Sequence, residues 1–240
     1  MTLAMSGVDL TSGPGIRSLF LQKYMQYQRF AALLRLSMKY EMSGVRKILI
    51  HRIQKHYPVT MNDYERVMTE HGTAAAAAFT LSPHPNEVLK LFWECEVKHC
   101  LPVAFYEATT RGINSLTSRK PQVALPPQIL TPALKALGSF NTLHVEHVRN
   151  AMDTFRACAQ CRRAGLVSVE HFLLPTKSDL SLSPLREQDM KPEVLRILCG
   201  NCASELADEE INFRCALWNE LPKLFALPNW GELSNLVVLK

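Results

Sequence analysis

Two Cys-x-x-Cys pairs, Cys158–Cys161 and Cys199–Cys202, hold four of the seven cysteines of this chain. The two-residue spacer lets both sulfurs of a pair turn toward one ion, and two such pairs supply the four thiolates of a tetrahedral zinc. A site of that kind is structural, since four sulfurs leave no position for water or substrate. The 37 residues 162–198 separate the pairs, more than the roughly 15–20 of the commonest zinc ribbon, so tertiary structure has to bring them together. Two other chemistries fit the same residues: buried reduced thiols, and a redox dithiol. The redox reading expects a thioredoxin-like βαβ setting, whereas the first pair follows a helix-like Met152–Ala157 and precedes Arg162-Arg163. A disulfide framework is not expected, because the cysteines are odd in number and sparse, and no signal-peptide pattern opens the sequence. The expectation is an intracellular protein, cytoplasmic or nuclear, with structural zinc on Cys158, Cys161, Cys199 and Cys202.

Other reactive types are scattered. His144 and His147 share a helix face and could bind a metal or simply line a surface. Cys100 follows His99, but a nucleophile needs a base within hydrogen-bond reach and a third group to orient it. Adjacent helical residues point apart, so Cys95 and Cys100 read as structural thiols, and Cys215 as core. Glu205, Asp208, Glu209 and Glu210 follow the second pair, while Arg156, Arg162 and Arg163 flank the first; one ion joining the pairs would bring these charges together. No phosphate-binding glycine loop, His-Glu-x-x-His helix or nucleophile elbow is present. A non-enzymatic protein without catalytic residues is expected.

The elements that must position these residues read as helices. Gln28–Tyr40 carries Phe30, Leu33, Leu34 and Met38 on one side, and a second helix capped by Ser43 repeats Val45, Ile48, Leu49 and Ile53. Arg46, Lys47, His51 and Lys55 form its other, solvated face. Further helical segments run over Thr60–Glu70, Ala74–Ala78, from Pro85 through Phe92, and over Val103–Thr110. Pro121, Pro126, Pro127 and Pro132 mark a loop, followed by helix over Leu134–Ala157. Pro175–Pro192 reads as an exposed loop, and Glu193–Leu198 and Glu205–Leu221 as helices ended by Pro222 and Pro228. No alternating apolar run is long enough for a sheet. The fold class expected is all-α.

At 240 residues with 47% hydrophobic content the chain can supply a core, and no run of 18 apolar residues suggests a membrane span. A formal charge of +5 is too small to imply nucleic acid. The C-terminal Trp218, Leu221, Leu224, Phe225, Leu227 and Trp230 either display a protein-binding surface or close the core.

The stretch from Leu33 to Met42 followed by Val45-Arg46-Lys47 resembles the last helical hairpin of a fungal, mushroom-type BTB/POZ domain. Leu101-Pro102-Val103-Ala104-Phe105-Tyr106, Leu198-Cys199-Gly200-Asn201-Cys202 and the tail from Leu217 to Trp230 are similar, in the same order, to segments of such proteins. The resemblance covers roughly residues 28–115 and 155–235. It implies a protein–protein interaction module with a BTB-type hairpin over 28–58, after a lead-in at 1–27. A BTB-associated helical region over 59–240 would carry the small four-cysteine zinc site. The strand-rich half of that domain has no counterpart upstream of Gln28, so the resemblance implies a truncated member. Its usual homodimerisation and cullin binding are not expected, and Ile16–Met25 would have to fold back over exposed apolar surface. The alternative is a zinc-containing regulatory or nucleic-acid-binding module.

Overall fold

The computed structural model describes residues 26–80, 82–154, 158–163, 184–185 and 198–238. Its regular elements are helical, with no strand among the described residues. The all-α reading holds. In chain order they are α1 (Tyr27–Lys39), α2 (Ser43–Gln54), α3 (Met61–His71), α4 (Ala74–Ala78), α5 (Pro85–Glu94), a 3₁₀ turn (Lys98–Cys100) and α6 (Leu101–Thr109). There follow α7 (Ile113–Leu116), α8 (Pro127–Thr154), α9 (Ala159–Arg163), α10 (Gly200–Leu224) and α11 (Trp230–Val238).

Local chemistry accounts for most starts and stops. Thr60 caps α3 through the Asp63 N–H, and Thr73 caps α4 through the Ala76 N–H. Pro85 occupies the first turn of α5, where its missing N–H is no loss. Gly72 takes the left-handed position that ends α3. The ends of α1, α5 and α10 use the same six-residue closure with Glu41, Glu96 and Ala226 in the left-handed position. In each, the next N–H returns to a carbonyl of the last turn: Met42 to Ser37, Val97 to Phe92, and Leu227 to Pro222.

The core is built around α6, whose nine residues are all buried. It packs on α5, α7, α8, α10 and the 3₁₀ turn. Phe105 stacks on Phe225 at 4.8 Å, and Tyr106 meets Phe140 of α8 and Tyr64 of α3 edge-on. The C-terminal aromatic cluster belongs to this core. Trp218 lies between Tyr64 and Trp230, its indole N–H donates to the Val59 carbonyl, and the Trp230 indole donates to the Trp218 carbonyl. With Trp218, Leu221 and Phe225 buried, the surface reading of that cluster is set aside.

Several boundaries differ from expectation. Ser43 is the first residue of α2 and caps nothing, Met42 holding the cap position. Ile48 faces solvent. Pro127 starts α8 and Pro132 lies inside it, one turn in, where the carbonyl deprived of a donor belongs to exposed Gln128. Within the region read as an exposed loop, Leu185 is buried in the core and its N–H donates to the Tyr106 hydroxyl. Cys215 points to solvent, because the inward stripe of α10 runs through Arg214, Leu217, Trp218 and Leu221. Residues 1–25, 155–157 and 193–197 lie outside the described residues.

One buried acid makes the fold sensitive to pH. Glu107 of α6 accepts the Ala74 N–H at the start of α4 and faces the Tyr57 hydroxyl. Burial outweighs these hydrogen bonds and raises its carboxyl from 4.5 to about 7. Between those values the unfolded chain ionises while the folded one stays neutral, so this group's contribution to stability falls as pH rises and levels off above about 7. Glu107→Gln keeps the acceptor and can donate to Tyr57. Its unfolding free energy, from urea titration, is expected to exceed that of the unsubstituted protein by an amount that grows from pH 4.5 to 7, reaching on the order of 3 kcal/mol.

Candidate metal centre

The two Cys-x-x-Cys pairs meet. Their four sulfurs all lie within 4.8 Å of one another, with Cys158 and Cys199 sulfurs 3.7 Å apart. A tetrahedron with metal–sulfur bonds of about 2.3 Å has edges of about 3.8 Å. All four are free thiols. The set can therefore hold a metal ion.

Local structure explains why these spacings converge. Cys158 immediately precedes α9 and Cys161 is its third residue; Cys199 caps α10 and Cys202 is its third residue. Each pair thus occupies the cap and third positions of a helix start, whose side chains turn toward each other as they do in a capping box. The arrangement is reciprocal. The Cys199 N–H donates to the Cys161 sulfur at 3.2 Å, and the Cys158 N–H to the Cys202 sulfur at 3.5 Å. The first residue of each pair so supports the second sulfur of the other. The sulfurs of Cys199 and Cys202 also lie at the electropositive end of a 25-residue helix.

The sulfurs do not share one environment. Cys158 is exposed, Cys199 half-buried, and Cys161 and Cys202 buried beside Leu198 and Leu206. Hydrogen bonds from Cys161 and Cys199 lower the Cys158 thiol to about 6. Cys202 receives the Cys158 N–H, but burial and the crowd of neighbouring sulfurs push it up to about 12. Cys161 is raised in the same way despite the Cys199 N–H. Four sulfurs this close cannot all ionise against one another; a dication removes that obstacle and displaces the remaining protons.

Neither histidine joins the cluster. His147 pairs with Glu210 at 3.2 Å and stacks on Phe213 at 3.9 Å, while His144 is buried beside that ring. Glu210 also approaches Arg214, whose buried guanidinium pairs with the more exposed Glu65 of α3. Glu210 of the acidic run thus meets Arg214 and His147; Arg156 and the side chains of Arg162 and Arg163, the arginines expected beside that run, lie outside the described residues. Arg214 escaped notice in the sequence, although its place four residues after Glu210 was a readable signal. These groups form a polar layer between the sulfur cluster and the main core.

Cys95 and Cys100 are buried, with thiols raised by that burial, Cys100 well above the ordinary range. His99 beside it is held near 4, again by burial. That combination gives neither a thiolate nor a base that gains a proton near neutrality. No helix among the described residues is long and apolar enough to cross a membrane. No family model, curated protein or solved structure matches the chain.

Cobalt(II) added to the reduced protein is expected to give the intense near-ultraviolet thiolate absorption and visible bands of a tetrahedral tetrathiolate site. Cys199→Ser should abolish the tetrathiolate spectrum. His144→Gln and His147→Gln should leave it unchanged, the latter lowering stability by about 0–1 kcal/mol through loss of the Glu210 pair.

Proposed function

We propose that Cys158, Cys161, Cys199 and Cys202 hold one structural zinc ion, and that the chain is a non-enzymatic protein–protein interaction module resembling the helical region of fungal BTB/POZ proteins. The observation that carries the zinc reading is the convergence of four sulfurs from distant segments, two of them accepting crossed backbone N–H bonds. Such a set fills every position of a tetrahedral ion and suits zinc or iron among the common metals. It leaves none for catalysis. A zinc thiolate also needs a reducing compartment, which fits an intracellular protein.

The interaction reading rests on what the helices are used for. The C-terminal aromatic cluster is committed to the core, and α6 is enclosed. The α1–α2 pair, which carries the BTB-like stretch, keeps Leu36, Tyr40 and Ile48 exposed. Large apolar side chains in solvent are what a protein partner covers.

Metal analysis of protein purified without chelator, with Cys199→Ser alongside, tests the first half. About one zinc per chain is expected, with loss of zinc and of part of the helical circular dichroism in the variant. Iron in its place, or four freely titratable thiols and no metal, overturns the zinc reading. For the second half, the zinc-loaded protein is expected to retain defined protein partners that Leu36→Glu/Ile48→Glu loses at unchanged melting temperature. Binding to DNA or RNA that weakens steeply with salt would favour the nucleic-acid alternative instead.

A further inference from the structure

The four sulfurs of the cluster differ in what can reach them. Cys158 is exposed and Cys199 half-buried, whereas Cys161 and Cys202 are buried. The residues inside each pair, Ala159-Gln160 and Gly200-Asn201, are exposed as well. The cluster therefore has an open side at the two cap positions and a closed side at the two third positions. The closed-side sulfurs are also the ones that accept the crossed N–H bonds, Cys161 from Cys199 and Cys202 from Cys158. On the open side the Cys158 and Cys199 sulfurs stand 3.7 Å apart.

This asymmetry decides where an oxidant enters. A sulfur that holds a metal ion is a thiolate, so all four meet the first requirement for attack on a peroxide, and exposure selects among them. Cys158 is the one in solvent. A sulfenic acid formed there is closed by a neighbouring thiol, and Cys199 offers its sulfur from the same open side. A disulfide bond is about 2.05 Å long, so the two sulfurs have to approach by about 1.7 Å.

We propose that Cys158 is an oxidative modification site, at which a peroxide closes a Cys158–Cys199 disulfide and the cluster gives up its ion. The proposal rests on the metal reading above and names how that site is regulated. In the first step the Cys158 thiolate attacks an oxygen of hydrogen peroxide; an S–O bond forms, the O–O bond breaks, and the departing hydroxide is protonated to water. In the second the Cys199 thiolate attacks the Cys158 sulfur; the S–S bond forms, the S–O bond breaks, and a second hydroxide leaves and is protonated. Two electrons pass from the two sulfurs to the peroxide. Cys161 and Cys202 remain, two sulfurs where a tetrahedral ion takes four ligands. A dithiol reductant restores the set.

The test adds equimolar hydrogen peroxide to the metal-loaded full chain carrying Cys215→Ser, which removes the other exposed thiol. Metal content before oxidation checks the metal reading by itself. A metallochromic dye then follows release, and peptide mass mapping locates the disulfide. Release of about one zinc per chain is expected in step with a Cys158–Cys199 link, with uptake restored by dithiothreitol and added zinc. Cys158→His, which keeps a ligand for the ion but no oxidisable sulfur at that position, is expected to release it about tenfold more slowly. Zinc that stays bound under peroxide, a link that leaves out Cys158 or Cys199, or equally fast release from Cys158→His overturns the proposal and leaves the metal reading standing. Protein that carries no metal before oxidation overturns the metal reading, and the release with it.

Discussion

The helix Leu101–Thr109 has no solvent face, and a helix buried on every side needs apolar neighbours all round it. Its sequence allows this because seven of its nine side chains are apolar or aromatic and the two polar ones are bonded within the fold. Thr109 returns its hydroxyl to the Phe105 carbonyl, and Glu107 gives its carboxyl to the start of α4. The surrounding helices take their places from it. Phe105 fixes where α10 must end, through Phe225, and Tyr106 fixes the height of α8 through Phe140. The same tyrosine's hydroxyl holds Leu185, in the middle of the segment joining the cysteine pairs.

Helix α10 connects this core to the sulfur cluster. At 25 residues it is about 37 Å long, with Leu217, Trp218 and Leu221 at one end and Cys202 and Leu206 at the other. The two apolar clusters are separate. Between them lies the layer of His147, Glu210, Arg214 and Glu65, which joins α8, α10 and α3 through polar side chains where the apolar stripe is interrupted. Arg214 is the buried member of the layer, and its charge is taken up by the more exposed Glu65 and Glu210.

Much of this was legible in the sequence because it rests on local rules. Thr60, Thr73, Pro85 and Gly72 announce their helix ends by residue type, and the apolar repeat of α1 announces its face, whereas that of α2 includes the exposed Ile48. What could not be read depends on distant contacts. Glu41, Glu96 and Ala226 end helices without the glycine that would mark them. Leu185 looks like one apolar residue in a Ser- and Pro-rich stretch until Tyr106 is placed beside it. Helix α10 starts at Gly200 and not at Glu205 because the second cysteine pair is itself the start of the helix. The composition of the site was visible in the paired spacing; its reciprocity was not, since it depends on two helix starts facing each other across a long intervening segment.

That reciprocity bears on what holds the distal end together. Among the described residues, the buried apolar partners of the sulfurs are Leu198 and Leu206, with Ala203 partly buried. A metal ion held by the four sulfurs would contribute on the scale of about 10–16 kcal/mol to closing this end, and pinning at Leu185 shortens the span to be closed. It divides the 37 residues between the pairs into 23 (162–184) and 13 (186–198), so the ends are partly gathered before the sulfurs meet. Closure entropy grows only as the logarithm of loop length, so the long spacer that looked unfavourable in the sequence is a modest penalty. The demanding requirement is the angle between two helix starts, and the crossed N–H···S bonds meet it.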